Sequence, residues 1–150
     1  MPDLRELYQQ VVLEHTRRPR NFCVPVEVNR KARGYNPFCG DNFTVYLKVE
    51  DDVIVDVGFQ GSGCAISTSS TSMMTQNVKG KSISEAEGIF ELFHSMITRG
   101  VGDDFDAELL GDLEILSGIV EFPNRVKCAS LSWHTLQAAL QGQDVSISTE

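Results

Sequence analysis

Residues 43–59 read FTVYLKVEDDVIVDVGF, and the alternation within them decides the fold class. Phe43, Val45, Leu47 and Val49 point one way; Thr44, Tyr46, Lys48 and Glu50 point the other. After Asp51-Asp52 the alternation resumes with Val53, Val55, Val57 and Phe59. Successive side chains of a strand project to opposite faces, so these residues predict two half-buried strands joined by a short acidic turn. The product is an antiparallel hairpin.

Upstream of the hairpin, residues 28–35 predict a further strand. Leu4, Leu7, Tyr8, Val11 and Val12 recur at helical spacing and predict a helix over 3–16, with Asp3 as its N-cap and Pro19 ending the helical region. Downstream, Gly61-Ser62-Gly63 ends the second hairpin strand and a helix over 64–78 follows. Apart from Met73 and Met74, positions 67–75 are all Ser or Thr. Those residues have modest helix propensity, so tertiary packing must hold this helix. Gly80 stops it, and Ser82 with Glu85 matches a capping box. Ala86, Ile89, Phe90, Phe93 and Ile97 then form the apolar stripe of a helix reaching to 98, closed by Gly100 and Gly102. The acidic segment 103–118 carries a short helix around Leu109 and Leu110. Pro123 suits the first turn of a last helix, whose face is Val126, Ala129, Trp133, Leu136 and Leu140. The tail 142–150 is polar and expected to fray. A small antiparallel sheet of about three strands packed against several helices that do not alternate with strands is α+β. A chain of 150 residues fits one domain over 1–150.

The net charge of −8 repels phosphate backbones, which argues against nucleic acid as a partner. No apolar run approaches the ~20 residues of a membrane helix. The first residues carry acids and an amphipathic pattern instead of a basic stretch and an apolar core, so no signal peptide is read and a cytoplasmic protein is expected. Basic residues cluster early (Arg17, Arg18, Arg20, Arg30, Lys31, Arg33). Acids cluster later (Asp103, Asp104, Asp106, Glu108, Asp112, Glu114). Both read first as solvated faces, and more sharply as docking surfaces for a protein partner.

Four cysteines remain, at 23, 39, 64 and 128. A reducing cytosol keeps them as thiols, and cysteine taken singly is most often simply buried. Their positions suggest more. Cys39 and Asp41 flank Gly40, which admits a positive φ and lets both side chains aim at one point. A hairpin sets the start of one strand beside the end of the next, so the flanks holding Cys39 and Cys64 are neighbours. Cys64 and Cys128 both fall in the first turn or two of a predicted helix, where free N–H groups and the helix dipole favour a thiolate. Gly63 leaves room for another group to approach Cys64. Sulfurs plus one carboxylate suit Zn(II) or an iron–sulfur cluster, and three thiolates with a carboxylate around Zn(II) leave a net charge of about −2. Arg125 and Lys127 could offset it. No C-x-x-C motif is present, so spacing alone leaves metal binding, catalysis and burial all open. His15, His94 and His134 form no i, i+4 pair and read as core-edge or surface residues, and Gly61-Ser62-Gly63 lacks a Walker pattern.

The combination of Asn36-Pro37 with Cys39-Gly40-Asp41, Gly61-Ser62-Gly63-Cys64-Ala65-Ile66-Ser67, Lys79-Gly80-Lys81 and Arg125-Val126-Lys127-Cys128-Ala129 resembles the U-type iron–sulfur biogenesis family. That family comprises IscU, SufU and the N-terminal domain of NifU. The likeness runs from Leu7-Tyr8 to about Leu140. It implies a small antiparallel sheet packed on helices, with Cys39, Asp41, Cys64 and Cys128 as the metal and sulfur site. Cys23 matches no family ligand and is expected to be a small buried residue or a bystander.

Two departures point to the SufU branch. Lys127 stands where IscU scaffolds carry a histidine, and the stretch between Cys64 and Cys128 is longer. The resemblance then implies zinc, a SufS-type cysteine desulfurase as sulfur donor and downstream SUF assembly components as recipients. It also implies that a desulfurase histidine replaces one cysteine on zinc. The freed thiolate would be Cys39, attacking the outer persulfide sulfur while Asp41 keeps the geometry. On that reading the protein is a zinc-dependent sulfurtransferase. One alternative is a scaffold that assembles a [2Fe–2S] cluster, or holds iron, on the same residues and passes it to apo-proteins; the missing histidine counts against it. The other is a structural zinc protein without sulfur transfer.

Overall fold

β2 (Asp41–Glu50) and β3 (Val53–Ser62) pair antiparallel, as the alternation predicts. Asp51 and Asp52 turn the chain between them with φ of 50° and 61°. Positive φ at both central residues matches the right-handed twist of the strands, and Asp tolerates it better than most side chains. Val45 faces Phe59 and Leu47 faces Val57, but the register shifts between Lys48 and Val49, so Val49 faces Ile54. Beyond the shift the parity of β3 is reversed. Ile54 is 0% exposed and Val55 40% exposed, which corrects the expected inward positions of Val53 and Val55. One extra residue in a strand moves every later side chain to the other face.

The computed structural model describes residues 4–37, 39–99, 107–142 and 146–148. β1 (Arg30–Asn36) pairs antiparallel with β2, and β4 (Ser146–Ser148) pairs parallel with β1. The sheet order is β3-β2-β1-β4. The expected three-stranded antiparallel core is therefore present. The expectation of a fully frayed tail is corrected at 146–148. The proposed cap Asp3, the stops Gly100 and Gly102, and the acids Asp103, Asp104 and Asp106 lie outside the described residues.

α1 (Leu4–Arg17), α2 (Ala65–Val78), α3 (Ile83–Arg99), α4 (Ala107–Leu110) and α5 (Pro123–Leu140) supply the helical layer, and a 3-10 helix (Gly111–Glu121) continues α4. The short helix expected near Leu109 is thus the start of a longer one. α5 lies across β1 and β2. It comes close because Gly34 has no side chain: a Cβ there would sit 2.0 Å from Thr135 Oγ1. The capping box holds, with Ser82 N donating to Glu85 Oε1 and Glu85 N donating to Ser82 Oγ, each at 3.1 Å.

α2 is buried along most of its length although it is polar. Most of its buried hydroxyls are used, although Ser67 Oγ has no hydrogen-bond partner among the described residues. Ser70 Oγ donates to Ala129 O on α5 at 2.6 Å, and Ser72 Oγ meets His15 Nδ1 at 2.7 Å. Thr71 and Thr75 donate back into their own helix. A buried polar group costs little once paired, so this helix is held by hydrogen bonds where α3 is held by its apolar stripe. Trp133 is fully buried against Phe93, ring centroids 4.9 Å apart, as expected of a core residue. His15 is buried, and desolvation holds it and His134 below the usual histidine range. Among the described residues no helix is long and apolar enough to cross a membrane.

Candidate metal centre

Asn36 ends β1 and pairs with Asp41, which opens β2, so Pro37, Cys39 and Gly40 lie in the turn joining them. Gly40 in that turn has φ +72°, and a Cβ there would meet nothing within 4 Å. Cys39 is consequently half-buried on an open turn, while Asp41 is fully buried in the first position of the strand. At the far end of the sheet's other hairpin Ser62 faces Asn42, which brings Cys64 alongside Asp41. Cys64 N donates to Asp41 Oδ1 at 2.8 Å. Gly63 makes this contact possible, since a Cβ at that position would lie 2.5 Å from Asp41 Oδ1 and 2.9 Å from Phe43 Cε2.

Cys64 is the N-cap of α2, and its sulfur accepts a hydrogen bond from Ser67 N at 3.4 Å. Cys128 sits in the second turn of α5 and is fully buried. Its sulfur lies 3.0 Å from Cys39 Sγ. The ligand atoms of Cys39, Asp41, Cys64 and Cys128 all fall within 4.8 Å of one another. All four sequence candidates therefore converge. Cys23 is exposed and outside the cluster, so it is a bystander and not a buried residue.

The helix-terminus effect on the two thiols is weaker than the sequence suggests. Burial pushes the Cys64 thiol up more than the Ser67 N–H lowers it, and the nearby Asp41 carboxylate pushes it further up. Burial likewise drives Cys128 well above the ordinary thiol range, helped by its hydrogen bond with Cys39 and the charge of Cys64. Three thiolates and a carboxylate cannot share a desolvated site without a cation, and a cation reverses the sign of these shifts. Arg125 supplies part of that charge. Its Nη1 stands 3.5 Å from Cys39 Sγ, and hydrogen bonding to Cys128 with the charges of Cys128 and Cys39 raises the guanidinium further. Lys127, also expected to offset that charge, is exposed.

The donor set fits zinc or an iron–sulfur cluster. Tetrahedral coordination with metal–sulfur bonds of about 2.3 Å needs donor atoms roughly 3.5–4 Å apart, and this cluster is of that size. A residue with no assigned role in the sequence reading also belongs here. Asn36, fully buried, donates from Nδ2 to Asp41 Oδ2 at 3.2 Å and to Cys128 Sγ at 3.6 Å. Its place three positions before Cys39 was the available signal. Tyr8 is half-buried nearby; desolvation raises its phenol, Arg125 lowers it and Cys64 raises it. A cleft of about 450 Å³ lined by Tyr8, Ile66, Ile115, Ile119, Phe122 and Arg125 adjoins the cluster through Arg125.

Comparison with known proteins agrees with this geometry. Residues 7–141 match the model of the NifU-like N-terminal domain. The chain is 38% identical over 148 residues to the zinc-dependent sulfurtransferase SufU of Bacillus subtilis, covering 95% of each chain. It is 38% identical over 143 residues to the iron–sulfur cluster assembly scaffold protein IscU of Streptococcus pyogenes, covering 92% of this chain and 85% of the relative. Among solved structures it superposes on a SUF-system scaffold protein from Fervidobacterium islandicum with a TM-score of 0.81 at 32% identity. That superposition covers 91% of this chain and 98% of the other.

Proposed function

Since this chain belongs to the NifU-like N-terminal domain family of iron–sulfur cluster assembly proteins, we propose that it is a zinc-bound sulfur acceptor served by a SufS-type cysteine desulfurase. Cys39, Asp41, Cys64 and Cys128 are the ligands in this reading, and Cys39 takes the sulfur. One observation carries it. Cys39 alone stands on an open turn, and its hydrogen-bond donor is an exposed guanidinium. The other donors are tied to buried or backbone groups. Zinc, when bound, keeps the sulfurs deprotonated at neutral pH and restrains their reactivity. The released Cys39 thiolate attacks the outer sulfur of the donor's persulfide. A sulfur–sulfur bond forms on Cys39, the donor's sulfur–sulfur bond breaks, and the electron pair leaves on the donor cysteine as thiolate. Arg125 balances the charge of Cys39 before the attack. Downstream SUF components then receive the sulfur, in the cytoplasm.

The test is desulfurase turnover with this protein as the only acceptor. Wild type should accelerate it, and Cys39→Ala should abolish sulfur acceptance while keeping the fold. Acceptance at the normal rate in Cys39→Ala overturns the assignment, and no acceleration by wild type overturns the relay reading. Asp41→Ala should weaken zinc by at least the roughly 10–100-fold typical of losing a mere supporting partner.

A scaffold reading draws on the equal identity to IscU and on the same donors. Protein isolated without added metal separates the two readings: zinc and a colourless solution for the relay, iron with sulfide and a brown solution for the scaffold.

A further inference from the structure

Besides the contact between the Cys39 and Cys128 sulfurs, each sulfur of the cluster meets a nitrogen donor of a different kind. Cys39 has the exposed Arg125 guanidinium, Cys64 has the Ser67 backbone N–H, and Cys128 has the Asn36 carboxamide. Asn36 differs from the other two because it joins the carboxylate of the cluster to one of its sulfurs. Its single nitrogen reaches Asp41 Oδ2 at 3.2 Å and Cys128 Sγ at 3.6 Å. The other carboxylate oxygen of Asp41 is held by Cys64 N at 2.8 Å. Asn36, Asp41 and Cys128 are all fully buried. A buried side-chain amide presents its two hydrogens at a fixed angle in one plane, so the pair of contacts sets both the distance and the direction between carboxylate and sulfur.

We propose that Asn36 is a positioning residue that locks Asp41 and Cys128 into one rigid half of the site, leaving Cys39 as the donor free to depart. The identity of the departing sulfur rests on the relay reading above; the lock itself does not. Carboxylate and sulfur ligands are oriented by the hydrogen bonds of their outer partners, and loss of such a partner typically costs about 10–100-fold in metal affinity. Neither Arg125, which is exposed, nor the Ser67 N–H, which holds one sulfur only, can substitute for the bridge.

Zinc competition against a chromophoric chelator and the ligand-field spectrum of the cobalt(II)-loaded protein test the lock. The variants are Asn36→Leu, which keeps the branched shape without any polar atom, and Asn36→Ala. Ser70→Ala is the matched control. It removes a different buried hydrogen bond, Ser70 Oγ to Ala129 O, from a residue outside the ligand set. The expected result is zinc affinity lower by about 10–100-fold in both Asn36 variants, a changed cobalt band, and neither change in Ser70→Ala. Affinity and band within twofold of wild type in either soluble Asn36 variant overturn the proposal. So does an equal change in Ser70→Ala, which would mark the effect as general loosening.

Alkylation of the zinc-loaded protein, mapped by mass spectrometry with exposed Cys23 as internal standard, tests the freedom of Cys39. In wild type Cys39 should react before Cys64 and Cys128, and in Asn36→Leu Cys128 should gain on it. If wild type reacts first at Cys64 or Cys128, the relay reading fails while the affinity result still judges the lock.

Discussion

Cys39 and Cys128 put their sulfurs 3.0 Å apart, yet they reach that point from opposite kinds of structure. Cys128 is fully buried in α5, which also carries Trp133 into the core. Cys39 hangs half-buried on a turn whose neighbour Gly40 faces open space. The contrast teaches that a metal centre need not be uniformly rigid. A donor carried by a buried helix can move only if the core moves, whereas a donor on a turn can leave with a few dihedral changes. An ion bridging the two is held by one side and can be released by the other. On the relay reading, the same contrast would let the site protect its sulfurs and still offer one to a visiting protein.

Cys128→Ala breaks the rigid side and should give the largest change. The fully buried sulfur is lost as a ligand and as packing, so zinc should no longer co-purify with the protein. Denaturant melts of the metal-free protein should show a loss on the order of 1 kcal/mol from the small cavity. Added zinc should no longer raise the melting temperature, because ligand stabilisation requires binding to the native state. Cys39→Ala, by contrast, should leave metal-free stability within about 0.5 kcal/mol of wild type, as for an ordinary surface change. Equal destabilisation by the two substitutions would erase the distinction.

Gly63→Ala attacks the same side without touching a ligand. The new methyl would stand 2.5 Å from Asp41 Oδ1 and 2.9 Å from Phe43 Cε2. Phe43 is fully buried and packed against Phe59, so the carboxylate is the group that must yield. The 2.8 Å bond from Cys64 N would open. Zinc affinity should fall by about tenfold or more, and stability by about 1–3 kcal/mol from overpacking, both read in the same titration and melt. Unchanged affinity would mean that Asp41 does not hold the metal.

Much of this site was legible in the chain because hairpin geometry is local. Once FTVYLKVEDDVIVDVGF is read as two strands, the turn bearing Cys39 and the end bearing Cys64 must adjoin. Cys128 could be placed on a helix from the Pro123 start and the Val126–Leu140 stripe, but its meeting with the others depends on α5 crossing β1, which Gly34 permits and no periodicity announces. Asn36 escaped assignment for a related reason: its value lies in bridging Asp41 and Cys128, a contact across 92 positions in the case of Cys128. The register shift near Val49 was invisible because a single extra residue leaves both flanking alternations intact. The Ser67 N–H lowers the Cys64 thiol as a helix start should, but the opposing effect of burial was not legible because burial is a property of the packed whole. The Ser/Thr run of α2 was rightly seen to need tertiary support. That support is hydrogen bonding from α1, α5 and the 20–21 segment, all distant in sequence, so no local pattern records it.

Arg125→Ala sharpens the comparison from the mobile side and should have the smallest effect. The guanidinium is exposed and lies 3.5 Å from Cys39 Sγ, so its charge is screened by water and salt. Removing it should leave zinc affinity and fold nearly unchanged, because Asp41, Cys64 and Cys128 each keep a buried or backbone partner. It should slow sulfur acceptance by a few-fold at low ionic strength, since the attacking thiolate loses its nearest cation. The deficit should shrink as salt rises, and Arg125→Lys should restore most of the rate because a point charge is what the thiolate needs. Sulfur-acceptance rates measured across a salt series distinguish this from a structural role. A deficit independent of salt, or accompanied by weaker zinc binding, would place Arg125 with the rigid half of the site, and Cys39 would then have no uniquely free donor.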